Sequence, residues 1–334
     1  MKVLVMGGTR FNGLHLVREL VRQGHEVTIL NRGLTQAKLP RNLRRLYADR
    51  KDHEQLAEVL GKEEFDCVQD ISAYTLDDVQ SMVEIFQGRT GHYIAASSTV
   101  VYAATSILPI HESFPVDKSE RQSDYGRNKI ACEEYLMGVY HQTGFPVTVA
   151  RFSMVFGPHN IIPDREQRMF IRLLRGRKVL VPGRGATLSQ IGHVEDEACA
   201  LRMMMLNPRT YGQIYNVTGS QYWSDEGYVD TFGKVLGIEP NKVFVPDQIM
   251  DELWAKTERD RPLIQRLAPY IHHWNESTIF SIEKLRDHLG FQPHYTFEGA
   301  VEQTYDWFLQ EGLDKTLEFD FSSEDHLLAR LGEM

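Results

Sequence analysis

Met1-Lys2-Val3-Leu4-Val5-Met6-Gly7-Gly8-Thr9-Arg10-Phe11-Asn12-Gly13 runs from four consecutive apolar residues into a glycine pair and, shortly after, a further glycine. An apolar run of this length, closed by glycines, reads as a strand buried on both faces that turns tightly into a helix. The helix is predicted over residues 13–23, where Leu14, Val17 and Val21 recur at helical spacing, and Gly24 stops it. Glu26-Val27-Thr28-Ile29-Leu30 is the second strand. Further out, strands are predicted at 43–48, 65–71, 92–96 and 147–152, with helices at 53–60 and 76–86 between them. Strands alternating with helices of this length imply parallel pairing through right-handed crossovers. The fold class is therefore α/β, a doubly wound parallel sheet.

Beyond about residue 157 the punctuation changes. Pro158, Pro163, Pro182 and Gly183-Arg184-Gly185 cut the chain into shorter pieces, with helices predicted at 168–175, 195–206 and 225–236. Residues 1–157 are read as a dinucleotide-binding domain. Residues 158–334 are read as mostly a smaller substrate-binding lobe over the carboxyl edge of the sheet, with some segments returning to the large domain. The last twenty or so residues are expected to form a surface helix.

The 334 residues carry 46 acidic against 37 basic side chains, a net charge of -9 that argues against nucleic acid as the main partner. Cys67, Cys132 and Cys199 are too few and too irregularly spaced for a disulfide framework or a metal site. They are expected to be reduced thiols in a cytoplasmic protein. Val3 to Met6 is too short for a signal peptide or a membrane span.

Glycines after a first strand let the backbone approach a pyrophosphate, whose charge is met by the N-terminus of the next helix. Such a turn also serves purely local geometry, so its weight comes from its place at the head of an alternating α/β pattern. The second strand ends in Asn31 and Arg32, without the acidic residue that would hold ribose hydroxyls. Arg32, with Arg10 in the turn, tips the expected cofactor, NAD or NADP, towards NADP. Asp49 is positioned either to accept from an adenine amino group or to cap the next helix. Tyr125 and Lys129 lie one helical turn apart on one face. A phenol of pKa about 10 is a poor base at neutral pH. A neighbouring ammonium and an oxidised nicotinamide would both draw it down. Ser98, just after a strand, is placed to hydrogen-bond the reacting oxygen.

Taken together, Gly7 to Gly13, Ser97-Ser98-Thr99-Val100-Val101-Tyr102, Tyr125 with Lys129, and Arg151-Phe152-Ser153-Met154-Val155-Phe156-Gly157-Pro158 resemble the extended short-chain dehydrogenases/reductases. The closer likeness is to the NAD-dependent epimerase/dehydratase group that acts on nucleotide sugars. Ile214-Tyr215-Asn216-Val217 and Leu289-Gly290-Phe291-Gln292-Pro293 carry it into the smaller lobe. Gly-Gly-Thr-Arg-Phe is similar to an atypical branch that includes the chloroplast stem-loop-binding proteins. The resemblance implies a Rossmann domain with a turn of Gly7, Thr9, Arg10, Phe11, Asn12 and Gly13 on the cofactor, Arg10 replacing the middle glycine. It implies further cofactor contacts from Ile71, Ser72 and Ala73, Tyr125 as general acid/base, Lys129 as its partner on the nicotinamide ribose, and Ser98 on the substrate oxygen.

Members that dehydrate sugars usually carry an acidic pair where this chain has Thr99 and Val100, so 4,6-dehydration is not expected. Two reactions remain, an epimerisation through a transient keto sugar and a single carbonyl reduction using NADP on a smaller substrate. The arginine that such enzymes typically place before a His-Val-x-Asp segment is here Ser189. Arg184, Arg177 or Arg168 would have to supply that charge, or the substrate carries less phosphate. Ser98, Thr99, Arg184 and His193 are the candidate substrate contacts, although His193 also reads as a structural residue. Trp223 is placed either at the substrate entrance or in the core. His159 and the pair His272-His273 lack the spacing of a zinc site, and no metal is expected. A homodimer formed around 76–86 and 132–141 follows from the resemblance. So does a third reading, a non-catalytic RNA- or nucleotide-binding protein, but Tyr125 and Lys129 are both retained.

Overall fold

Strands β1 (Lys2–Met6), β2 (Glu26–Asn31), β3 (Arg44–Tyr47), β4 (Cys67–Asp70), β5 (Tyr93–Ser98), β6 (Val147–Phe152) and β7 (Gln213–Val217) form one parallel sheet in the order β7-β6-β5-β4-β1-β2-β3. The structure is a computed structural model and describes residues 1–162, 164–255 and 273–332. Pro163 and His272 lie outside them. β1 pairs on one side with β2, Val3 opposite Val27, and on the other with β4, Val3 opposite Cys67. The winding direction therefore reverses at β1, and the glycine turn at its carboxyl end opens into the crevice where such sheets bind ligands.

Side-chain alternation sorts the core into two layers. Val3 and Val5 face a cluster with Leu16, Val17 and Leu20 of α1 (Phe11–Arg22) and Ala198, Leu201 and Met204 of α6 (Val194–Met204). Leu4 and Met6 face the opposite layer, where α2 (His53–Leu60), α3 (Leu76–Phe86) and α4 (Asp124–Thr143) contribute Leu56, Val79, Met82, Phe86 and Leu136. After residue 157 the chain thus returns to the large sheet with α6 on one face, β7 at an edge and the helix Glu283–Leu289 packed beside β7. The smaller lobe has its own core of Phe156, Phe170, Val181, Phe232, Phe297 and Phe308, built on α5 (Glu166–Leu174) and α7 (Asp225–Leu236). Trp223 packs against that core and stacks on Phe297 with ring centroids 3.9 Å apart, which selects the core alternative over the entrance. The helix Ser322–Gly332 is also more than a surface element. Leu327 packs beside Leu180 and Val245, and the buried Glu324 carboxylate binds both Arg168 and Arg172. Among the described residues, no helix is long and apolar enough to cross a membrane.

The first helix begins at Phe11, two residues earlier than its periodicity predicts. The cause is backbone approach. A Cβ on Gly13 would lie 2.7 Å from the Gly8 nitrogen, so α1 packs directly onto the turn. Gly13→Ala is expected to lower unfolding free energy by about 1–3 kcal/mol through backbone overpacking. Gly138→Ala, in open space on α4, should raise it by up to about 1 kcal/mol through helix propensity. Denaturant unfolding of the two variants measures both.

Candidate active site

A single cleft of about 1850 Å³ runs along the carboxyl edge of the sheet, from the glycine turn to the smaller lobe. Sites for one small ligand occupy roughly 300–1,000 Å³, so this space suits two ligands end to end.

At the sheet end, Gly7 and Gly8 hold φ of 106° and 87°, conformations open to glycine, and the Gly7 N–H donates to the Leu30 carbonyl at 2.9 Å. α1 starts here with no side-chain cap and no acidic residue in its first turn, which leaves its N-terminal N–H groups and positive dipole end facing the cleft. Thr9, Arg10, Phe11 and Asn12 line the same end, and the Asn12 amide donates to Glu197 of α6 at 3.2 Å. Asn31 accepts from the Gly33 N–H at 2.7 Å, while Arg32 is exposed and forms no ion pair with a described residue. Asp49 lines the cleft and accepts from the Lys51 N–H. The cap of α2 is Asp52, so the alternative reading of Asp49 as that cap is set aside. Ile71 and Ser72 line the wall beyond β4. Ala73 is buried and meets the site only through its carbonyl.

In the middle of the cleft, two elements bring Ser98, Tyr125 and Lys129 together. Ser98 ends β5, and Tyr125 and Lys129 share a face of α4. α4 is capped by Ser123, whose hydroxyl accepts from the Gly126 N–H at 3.0 Å. It is tied to the turn after β5 by Gln122, whose amide donates to the Val100 carbonyl at 2.9 Å. Gly126 leaves no room for a side chain against Gln122, so the first turn of α4 sits hard on this tie. The Lys129 ammonium is buried and donates to the Ala73 carbonyl at 2.6 Å and the Ala96 carbonyl at 2.8 Å. Burial pushes its pKa down.

The expectation that Lys129 acidifies the phenol is not met in the ligand-free chain. Although Tyr125 is 42% exposed overall, desolvation by the cleft wall pushes its phenol up to about 12, the neighbouring Tyr74 adds to this, and a hydrogen bond with Ser98 opposes it. The ammonium is turned towards two carbonyls and stands 5.7 Å from the Tyr125 ring centre.

Towards the smaller lobe the cleft is lined by Thr99, Ser189, Gln190, Thr278 and Phe280. The cations expected there are elsewhere. Arg184 is exposed on the turn after the strand Val179–Pro182, outside the cleft lining, because Gly183 and Gly185, both at positive φ, swing that turn outward. Arg168 and Arg177 are committed to Glu324 and Asp325. His193 is buried, stacked on Tyr295 at 3.7 Å, and accepts from the Glu195 N–H at the start of α6, so it packs and caps rather than facing the cleft. His159 interacts with Arg18 at 3.1 Å and packs on Trp307.

Three cleft arginines, Arg50, Arg121 and Arg165, escaped the sequence reading. Arg50 is locked to both oxygens of Asp70, at 2.9 and 3.0 Å, and to Ser72. Arg165, at the entry to α5, lines the substrate half. A cation directly after Asp49 at a strand end was a usable signal for Arg50. Nothing in the spacing around Arg165 separates it from a surface arginine.

Residues 3–218 match the model of the NAD dependent epimerase/dehydratase family. The chain belongs to that family. Its members are enzymes of the short-chain dehydrogenase/reductase type, and this chain is one of them. It is 30% identical, over 98% of its length and 84% of the relative's, to the chloroplast stem-loop binding protein of 41 kDa b of Arabidopsis thaliana. It is 24% identical, over 80% of this chain and 79% of the other, to a 2'-dehydrokanamycin reductase of Streptomyces kanamyceticus. In fold it is similar to a UDP-glucose 4-epimerase of Thermotoga maritima solved with UDP-glucose, with a TM-score of 0.75 and 18% identity over 93% of this chain and 99% of that one.

The local electrostatics predict an alkaline phenol. In the ligand-free enzyme, the tyrosinate absorption difference between wild type and Tyr125→Phe should titrate with a midpoint at about 12. A midpoint near neutrality would instead give the Lys129 ammonium control of the hydroxyl.

Proposed function

We propose that the protein is an NAD(P)-dependent, epimerase-like oxidoreductase acting on a nucleotide sugar or related sugar through a transient keto intermediate. The observation that carries this reading is the meeting of Ser98, Tyr125 and Lys129 midway along one cleft, between a glycine turn and the lobe that would hold the substrate.

The turn fits a dinucleotide. Gly7 adds no side chain to the cradle, Gly8 is filled from behind by Ile29, and the uncapped N-terminus of α1 offers N–H donors to a pyrophosphate. Gly7, Thr9, Arg10, Phe11, Asn12 and Gly13 would hold that group, Asn31 and Arg32 the adenosine ribose, and Asp49 the adenine. Ile71, Ser72 and the Ala73 backbone would form the wall leading to Lys129. When bound there, an oxidised nicotinamide would supply a hydride acceptor and a positive charge that favours the Tyr125 phenolate. Tyr125 moves the proton of the reacting hydroxyl at its own oxygen, Ser98 holds the same substrate oxygen, and Lys129 keeps the two elements in register. Thr99 is buried and Val100 is apolar, so no carboxylate stands where elimination of water would need an acid and a base.

A carbonyl reductase using NADP on a smaller substrate is the second reading, favoured by the neutral Ser189 and by Arg32 beside a strand end without a carboxylate. An epimerase keeps its cofactor and shows no net change in reduced-nicotinamide absorbance, whereas a reductase consumes cofactor in proportion to product. Mass analysis of small molecules released on denaturing the purified protein is expected to give NAD or NADP, and its absence would remove the epimerase reading.

Tyr125→Phe is expected to lower kcat by about 10²–10⁴ while cofactor affinity holds, as befits loss of an acid/base group. Arg32→Ala should weaken NADP by about tenfold, the loss of one charge-assisted contact, and leave NAD unchanged. Equilibrium titration with the two cofactors reads the second effect.

A further inference from the structure

Among the described residues, four arginines held inside the fold each meet a carboxylate. Arg50 faces Asp70, Arg151 faces Glu133, and Arg168 and Arg172 share Glu324. Arg165 is largely buried, yet it forms no ion pair with any described residue, and its hydrogen bond is a long one to the Val155 carbonyl at 3.3 Å. A buried guanidinium without a counter-charge is costly to keep, because desolvation is not offset by Coulomb attraction. The cost is visible in its pKa, which burial pushes down. The adjacent Glu166 offsets it only in part. Glu166 is fully buried, binds the Asn160 amide at 2.8 Å, and is itself pushed up to about 7 by burial.

The surroundings tell which way the charge faces. Arg165 lines the substrate half of the cleft together with Ser189, Gln190 and Thr278. Gln190 is spent on the Gly219 carbonyl and the Phe280 N–H. Ser189 is a buried hydroxyl free to turn towards an oxyanion beside the guanidinium.

We propose that Arg165 is the anion anchor of the substrate site and takes a phosphate oxygen of the substrate, with Ser189 as a secondary donor. A planar guanidinium with paired N–H donors matches two oxygens of one phosphate, and the counter-charge missing among the described residues is supplied by the ligand. The assignment rests on the function proposed above, since it presumes that this half of the cleft holds substrate. It narrows the substrate to a phosphorylated sugar, in which the phosphate belongs either to a nucleoside diphosphate or to the sugar itself.

The test uses the full chain saturated with NAD or NADP, so that the glycine turn is filled, and titrates UDP and glucose 1-phosphate by calorimetry. Wild type is expected to bind at least one of them. UDP binding alone assigns the phosphate to a nucleoside diphosphate, and comparable binding of glucose 1-phosphate assigns it to the sugar. Arg165→Met should weaken that binding at least tenfold, with cofactor affinity unchanged and an unfolding temperature no lower than that of wild type. Arg165→Lys should retain part of the binding. Unchanged probe affinity in Arg165→Met overturns the proposal, as does failure of wild type to bind either probe. Lowered stability with unchanged binding overturns it too, by marking Arg165 as a structural residue. Tyr125→Phe, run alongside, should bind the probes like wild type. Failure of the chemistry and failure of the anchor are thereby read separately.

Discussion

The Lys129 ammonium joins three parts of the fold that would otherwise be set independently. It stands on α4, and its two hydrogen bonds end on the Ala73 carbonyl beyond β4 and the Ala96 carbonyl in β5. A buried cation must find such partners, and here the partners are backbone, so the side chain fixes the spacing of the helix from two strand ends. Ser98 follows two residues after Ala96, and Tyr125 lies one turn before Lys129 on the same helix. The distance from phenol to serine is therefore set by the same contacts that bury the lysine. The Gln122 tie to Val100 repeats this restraint at the first turn of α4.

Buried charge plays two different parts in the molecule. Arg151 with Glu133, extended by the Ser97 hydroxyl, fastens β6 and α4 to the strand that presents Ser98. Arg168 and Arg172 on Glu324 fasten the helix Ser322–Gly332 to the smaller lobe. In these clusters the charges are compensated, and the cost of breaking them is high because one member would be left buried and unpaired. In the cleft the balance differs. The Tyr125 phenol is pushed up by its surroundings, and among the described residues Arg165 has no carboxylate in ion-pair contact, so both side chains are left in states that a charged ligand would relieve.

Much of the fold was legible because its signals are local. Val3 and Val5 against Leu4 and Met6 announced a strand buried on both faces, and the helices His53–Leu60, Leu76–Phe86 and Asp225–Leu236 fall where periodicity placed them. Tyr125 and Lys129 were readable for the same reason, four residues on one helix being neighbours whatever surrounds them. The misreadings concern residues whose surroundings come from distant segments. Arg184 lies near the expected segment in sequence, but a glycine-bounded turn carries it outward, while His193 takes the structural alternative because Tyr295, a hundred residues on, covers it. Trp223 was ambiguous until Phe297 supplied its stacking partner.

By itself, the sequence determined the alternation of strands and helices, the glycine turn and the pairing of Tyr125 with Lys129, because each depends on contacts within a few residues. Only the tertiary structure decided which arginines are neutralised and which face the cleft, which way the Lys129 ammonium points, and whether the phenol is acidic. Those outcomes depend on burial and on partners brought from up to about half the chain away. A side chain's desolvation and counter-charge exist only once the lobes have closed around it.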